Sequence, residues 1–141
     1  MDFTCPSNVV FECSRCGLCC GDTKQKTRKI LLLESEAIAI STETSLPKQA
    51  FTKQIKDKKS YRYEMKKNSE GKCFFLKDNQ CSIYTLRPLI CRFYPFELKF
   101  DPDKNQHVFN FTLECPGISR GRLMRRRDFE ALFLLAQERL P

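Results

Sequence analysis

Four of the nine cysteines in this 141-residue chain fall in one run, Cys13-Ser-Arg-Cys16-Gly-Leu-Cys19-Cys20-Gly21, and no other feature limits its folding so tightly. Two glycines and no apolar periodicity make that run a tight loop, neither helix nor strand. Three explanations of such a loop compete. Buried thiols that pack like small hydrophobes suit scattered cysteines, not a cluster among glycines. Disulfides fit poorly, because nine is odd and the adjacent pair Cys19–Cys20 is geometrically awkward. The opening Met-Asp-Phe-Thr-Cys-Pro also lacks the basic-then-apolar order of an export signal. The longest apolar stretches, Ile30–Leu33 and Ala131–Ala136, fall well short of the ~20 residues that span a bilayer, so no membrane partner is expected. The expected compartment is the cytoplasm, where thiols stay reduced and clustered cysteines bind metal.

Spacing gives the metal reading its chemistry. In Cys-x-x-Cys the chain reverses, so two thiolates face one ion while the intervening N–H groups point at sulfur. Cys13, Cys16 and Cys19 do this twice, which leaves a fourth ligand to come from Cys73, Cys81, Cys91 or Cys115. Tetrahedral Zn²⁺ takes four such ligands. A [4Fe–4S] cluster also takes four thiolates, and bacterial ferredoxins use a local Cys-x₂-Cys-x₂-Cys run with a distant Cys-Pro. Cys115-Pro116 and Cys5-Pro6 both offer that dipeptide. The local triple run favours iron–sulfur over zinc without deciding between them. Neighbouring residues seldom share one tetrahedral ion, so Cys20 is expected to differ from Cys19 in role. It belongs either to a second site with the distal cysteines or beside the first as an additional thiol. One site and two sites both fit the count.

Around the cysteines the chain reads as short mixed elements. Arg28–Leu33 reads as a strand. Ser35 caps a helix running to about Ile40, with Glu36 in its first turn, and Ser45-Leu-Pro opens a second helix toward Ile55. Lys56–Ser60 reads as a charged connector, Tyr61–Lys66 as a strand, and Cys73–Tyr84 as a hairpin turning at Asp78-Asn79 with cysteines on both arms. Pro88 and Pro95 leave room for one helical turn. Phe96–Phe100 and His107–Leu113 alternate and pair across Asp101–Asn105. From about Arg120 to Leu140 the pattern is helical, with Leu123, Met124, Phe129, Leu132, Phe133, Leu135, Ala136 and Leu140 mainly on one face. The expected fold is α+β: one small, irregular, metal-stabilised domain over 1–141, with short strands, cysteine-rich loops and a C-terminal amphipathic helix. With 41% hydrophobic residues there is material for one modest core.

The order of the cysteine blocks carries a resemblance. Phe11-Glu-Cys13-x-x-Cys16-Gly17-x-Cys19-Cys20 is followed by Cys73-Phe-Phe-Leu and by Cys81-Ser-Ile-Tyr84-x-x-Arg87-Pro88-x-x-Cys91-Arg92-x-Tyr94-Pro95, then by Cys115-Pro-Gly117. Together these blocks, from residue 11 to about 117, resemble the CxxCxxCC, or YkgJ-like, cysteine-cluster family, whose members are described as zinc- or iron-chelating proteins. That family is similar to the cysteine-bearing part of flagellin lysine N-methylases, in which an iron–sulfur cluster is thought to sit. The resemblance implies metal ligation by Cys13, Cys16, Cys19, Cys20, Cys73, Cys81, Cys91 and Cys115, with Cys5 outside the pattern. It implies no particular reaction, and no methyl-donor site is evident.

The block around Arg87 is dense in polar groups. Prolines fix the direction of Cys91, and Arg87 and Arg92 can donate to cluster sulfurs or backbone carbonyls beside the thiolates. Bidentate binding of a carboxylate or phosphate is the competing role. Tyr84 and Tyr94 read as packed aromatics with bonded hydroxyls. The single histidine, His107, lies in an alternating segment and reads as a strand-face or surface residue before a ligand. No Ser–His–Asp or Cys–His set, metalloprotease helix, phosphate loop or dinucleotide fingerprint is present. If the protein is an enzyme, its chemistry is expected to depend on the metal.

Twenty-five Lys and Arg against 17 Asp and Glu give a formal net charge of +8. Arg120, Arg122, Arg125, Arg126 and Arg127 crowd one stretch, and lysines spread over the middle of the chain. A solvated face explains this most simply. Four thiolates around Zn²⁺ or a [4Fe–4S] core leave an anionic site, which part of the basic surplus balances. Two functions therefore stand. One is an iron–sulfur protein in redox, cluster handling or metal-dependent protein modification. The other is a zinc-stabilised module whose basic face contacts nucleic acid or an acidic protein.

Overall fold

The elements of the chain, in order, are β1 (Phe3–Thr4), β2 (Val10–Phe11), β3 (Leu31–Leu33), α1 (Glu34–Thr44), α2 (Lys48–Phe51), β4 (Thr52–Lys58), β5 (Tyr61–Met65), β6 (Leu76–Lys77), β7 (Gln80–Cys81), α3 (Leu89–Phe93), β8 (Phe96–Asp101), β9 (Gln106–Phe111), β10 (Arg122–Leu123) and α4 (Arg126–Arg139). A 3₁₀ turn at Tyr84–Leu86 precedes α3. These come from a computed structural model that describes residues 3–13, 20–23, 27–58 and 60–140. The fold is α+β, as expected, and ends in the expected helix. No helix among the described residues is long and apolar enough to cross a membrane. The chain forms two compact units, a terminal one from Met1–Ser14 and Phe93–Pro141 and a central one from Arg15–Arg92.

In the terminal unit, β8 and β9 pair as expected, antiparallel with Phe96 opposite Phe111 through Asp101 opposite Gln106. Strand β1 adds in parallel along β9, with Phe3 opposite His107. Paired residues share a face, so Phe3, Phe96, Phe109 and His107 lie together on one side. Helix α4 lays Phe129, Phe133 and Ala136 there, all buried. Phe3 meets Phe109 and Phe133 at 5.3 and 5.1 Å between ring centroids, and Phe129 meets Phe96 and Phe109 at 5.1 Å each. The helix is shorter than the periodicity suggests. Arg122–Leu123 forms a strand pairing with Val10–Phe11, and Leu123 is 42% exposed. Gly121, at φ +83°, turns the chain there. Asp128 then sets the start of α4, its carboxylate accepting the Arg125 N–H at 2.8 Å and both terminal nitrogens of Arg122. That acidic group also offsets the crowd of arginines at a helix N-terminus, where positive charge is unfavourable.

In the central unit the sheet order is β3-β5-β4, antiparallel throughout. Its core gathers Ile30, Leu32, Ile40, Phe51, Met65, Phe75 and Ile83. The expected strand at Arg28–Leu33 narrows to three residues, and Leu33, not Ser35, stands at the N-cap of α1. Glu36 supplies the cap by reaching back to the Leu33 N–H at 2.9 Å. The second helix ends at Phe51 instead of running toward Ile55. Thr52 closes it by donating its hydroxyl to the Lys48 carbonyl at 2.7 Å, a side-chain bond that competes with helix continuation. The chain then becomes β4, which takes in Lys56–Lys58 of the expected connector. Tertiary pairing with β5 overrides the local helix signal. The single turn of α3 between Pro88 and Pro95 and the Cys73–Cys81 hairpin follow the sequence reading.

Candidate metal centre

Cys20 sits where the cysteine-rich run ends, and its backbone is fastened to a distant part of the central unit. The Cys73 N–H donates to the Cys20 carbonyl at 2.6 Å, and the Asp22 N–H donates to the Gly71 carbonyl at 2.9 Å. Gly21 and Lys72 bridge between these two bonds. A Cβ on Gly21, which holds φ +140°, would run into the Gly71 carbonyl, so this approach requires glycine. Asp22 locks the contact from the side. Its Oδ1 accepts the Lys67 ammonium at 2.7 Å and the Arg28 N–H at 2.9 Å, while Lys72 donates to the Asp22 carbonyl at 2.6 Å. The Lys67 bond, helped by the Arg28 amide, holds the Asp22 carboxyl below its ordinary pKa. A single half-buried ion pair of this kind adds modest stability. Its consequence is geometric, setting Cys20 and Cys73 side by side.

Cys73 and Cys81 flank the β6–β7 hairpin. Asp78 and Asn79 both have positive φ, 50° and 61°, as a two-residue turn matched to strand twist requires. Cys81 lies opposite Leu76. The Phe75 N–H points at the Cys73 Sγ from 3.4 Å, and the Leu76 N–H takes the Cys73 carbonyl at 3.0 Å. Hydrogen bonds of this kind to sulfur are among the features that tune thiolate-ligated clusters.

Cys91 is carried by α3, directly after buried Pro88, whose carbonyl accepts the Cys91 N–H at 2.9 Å. Arg87 donates Nε to the Tyr84 carbonyl at 2.9 Å and lays its guanidinium 3.9 Å from the Tyr84 ring centroid. Arg92 donates to the carbonyls of Arg87 and Thr85 at 3.0 and 2.8 Å. Both arginines thus brace the backbone that leads into Cys91. Tyr94 lies half-buried in the terminal unit.

Cys20, Cys73 and Cys91 are buried members of one core cluster, and half-buried Cys81 packs against it. Four of the eight sequence-predicted ligands therefore meet the same small core. Cys16 and Cys19 lie outside the described residues. Cys13 and Cys115 fall in the terminal unit, Cys13 exposed and Cys115 buried. Their loops are tied together by the Glu12 N–H on the Gly117 carbonyl at 3.1 Å and by the bridge of Phe11 with Ile118. His107 packs edge-on against Phe100 and Phe133 at 5.1 and 5.4 Å, an aromatic neighbour in the terminal core.

The donors fit a soft metal. The buried thiols, one with an amide on its sulfur, supply the ligand type of zinc and iron–sulfur centres. Among the described residues, however, no group of three or more Cys, His, Asp or Glu side chains converges closely enough to hold an ion. Sequence reading missed Asp22, Lys67, Lys72 and Glu36, which hold the cysteine-bearing segments in place. The Gly21-Asp22 pair after the run was a usable turn signal, whereas the distant lysines carried none.

The chain belongs to the CxxCxxCC family, whose description reads "Putative zinc- or iron-chelating domain", with a match over residues 12–116. It is 29% identical over 119 residues to an uncharacterized protein of Methanocaldococcus jannaschii, covering 82% of this chain and 62% of that protein. The chain thus spans less than two thirds of that relative's length. No solved structure matches the chain at a significant level.

Proposed function

We propose that this chain is an iron–sulfur protein whose cluster is held by thiolates of the central unit. Cys16 and Cys19 supply two of its four thiolates, and the other two come from among Cys20, Cys73, Cys81 and Cys91 of the buried core. Cys13 and Cys115 are the remaining two thiols of the eight-cysteine pattern. The observation that carries this reading is that Cys20, Cys73 and Cys91, from three separate segments, share one buried core with Cys81 at its edge. The all-sulfur donor set and the Cys-x₂-Cys-x₂-Cys spacing favour a [4Fe–4S] cluster over a mixed-ligand site.

A bound cluster supplies one-electron chemistry. The chain's own contribution is to hold thiolates in an apolar wall of Ile30, Phe75 and Ile83, and to aim the Phe75 amide at the Cys73 sulfur. Both features set a cluster's potential through burial and hydrogen bonding. The fitting roles are electron transfer, cluster handling and metal-dependent modification of a protein.

Anaerobic purification followed by iron, zinc and acid-labile sulfide analysis tests the reading. A brown protein with iron and sulfide in equal amounts is expected. A colourless protein with stoichiometric zinc, purified anaerobically from iron-replete cells, would replace the cluster with a structural zinc site. In that case the protein is a binding module acting through its basic surface.

A further inference from the structure

We propose that Glu36 is a positioning residue for Cys91, fixing the start of α3 and so the direction of one thiol. The assignment of that thiol to a metal rests on the function proposed above.

Glu36 is 7% exposed, which is unusual for a carboxylate and costly unless its oxygens are bonded. Each oxygen accepts a backbone N–H. Oε1 takes Leu33 at 2.9 Å, and Oε2 takes Leu89 at 2.5 Å. Leu33 stands at the start of α1 and Leu89 is the first residue of α3, so one carboxylate joins two helix N-termini. The amides there have no partner within their own helix, and both helix dipoles favour negative charge.

The bond matters more for α3 than for α1. Helix α1 is held by Ala37 and Ile40, each 0% exposed, and runs for 11 residues. Helix α3 has only five residues, too few to be stable alone, so its direction must be imposed from outside. Pro88 has no N–H, which leaves the Leu89 amide as the first donor of that helix. Cys91 follows two residues later, with its own N–H on the Pro88 carbonyl. A linkage therefore runs from α1 through Glu36 to Leu89 and Cys91. Glutamine cannot replace it, because one of its two terminal atoms is a donor that would face a donor. Glu36 also faces Tyr61, whose hydroxyl is held above its ordinary pKa by burial and then by that charge.

Two measurements on the full chain test this. The first is metal-independent: iodoacetamide labelling of the reduced, metal-free protein, read cysteine by cysteine by mass spectrometry. Glu36→Gln is expected to raise labelling of Cys91 several-fold while Cys20 and Cys73 keep their wild-type rates. An unchanged Cys91, or an equal rise at all three, would overturn the proposal. If Glu36→Gln does not fold, Glu36→Asp gives the same comparison, keeping the charge on an arm one methylene shorter. The second is Co²⁺ titration, followed by the thiolate-to-cobalt charge-transfer band. Glu36→Gln is expected to weaken Co²⁺ binding about 10–100-fold, as outer partners of a ligand do. In the Cys91→Ser background it should add nothing, and an additive loss would overturn the linkage. A wild-type chain with no thiolate–cobalt band would sink the metal reading, while the labelling would still decide whether Glu36 holds Cys91.

Discussion

The two units are built from similar short strands and a helix or two, yet their cores differ in kind. The terminal core is ring upon ring, with Phe3, Phe96, Phe109, Phe129 and Phe133 all buried. Such rings bury large area and interlock edge to face, each pair adding roughly 0.5–1.5 kcal/mol beyond area. The central core sets Cys20, Cys73 and Cys91 among its aliphatic residues. Cys20 and Cys73 lie outside every strand and helix, and Cys91 sits on a five-residue helix too short to be stable by itself. The contrast teaches that burial alone accounts for one unit, whereas the other has spent its core positions on potential ligands. Metal binding to such a unit is folding free energy.

Removing the metal should separate the two most strongly. Structural thiolate sites contribute on the order of 10 kcal/mol of apparent binding free energy, so stripping the metal or making Cys73→Ser should destabilise the central unit far more than the terminal one. Hydrogen exchange would then show amides of β4 and β5 losing protection while those of β8 and β9 keep theirs. Equal loss in both units would erase the contrast. Phe129→Ala makes the converse cut. It should cost about 3–5 kcal/mol through the cavity it leaves, yet retain full metal content. Metal loss in that variant would show that the phenylalanine core also supports the site. Gly21→Ala should cost about 1–3 kcal/mol, since a Cβ at that φ meets the Gly71 carbonyl, and should lower metal retention as well. Wild-type metal retention by a folded Gly21→Ala would remove the Cys20–Cys73 junction from the account.

The smallest effect lies in the terminal unit. The Arg122 ion pair and then the Arg125 amide hold the Asp128 carboxyl below its ordinary pKa. Because the folded value is the lower one, the stabilisation is present above the unfolded pKa and is lost as pH falls through the folded one. Asp128→Asn should cost about 0.5–1 kcal/mol at neutral pH and flatten the acid limb of the melting profile. Metal content should not change. An unaltered acid limb would remove Asp128 from the account.

Local order was legible in the sequence, and long-range order was not. The β8–β9 pairing and the Cys73–Cys81 hairpin follow from alternation and turn residues, which act over a few positions. Thr52–Lys58 was misread because Ser45-Leu-Pro starts a helix convincingly, and only pairing with β5 says where it stops. Leu123 continued an apolar pattern that Gly121 and the pairing with Val10 assign to a strand instead. At the site, cysteine spacing named the donors. Nothing near Glu36 pointed to Leu89, and nothing near Asp22 pointed to Lys67 and Lys72.

The central claim is that this chain holds its metal by sulfur alone. X-ray absorption at the metal edge of the anaerobically purified full chain tests it most directly. The expected first shell consists only of sulfur, at about 2.3 Å. A first shell containing nitrogen or oxygen donors would contradict it.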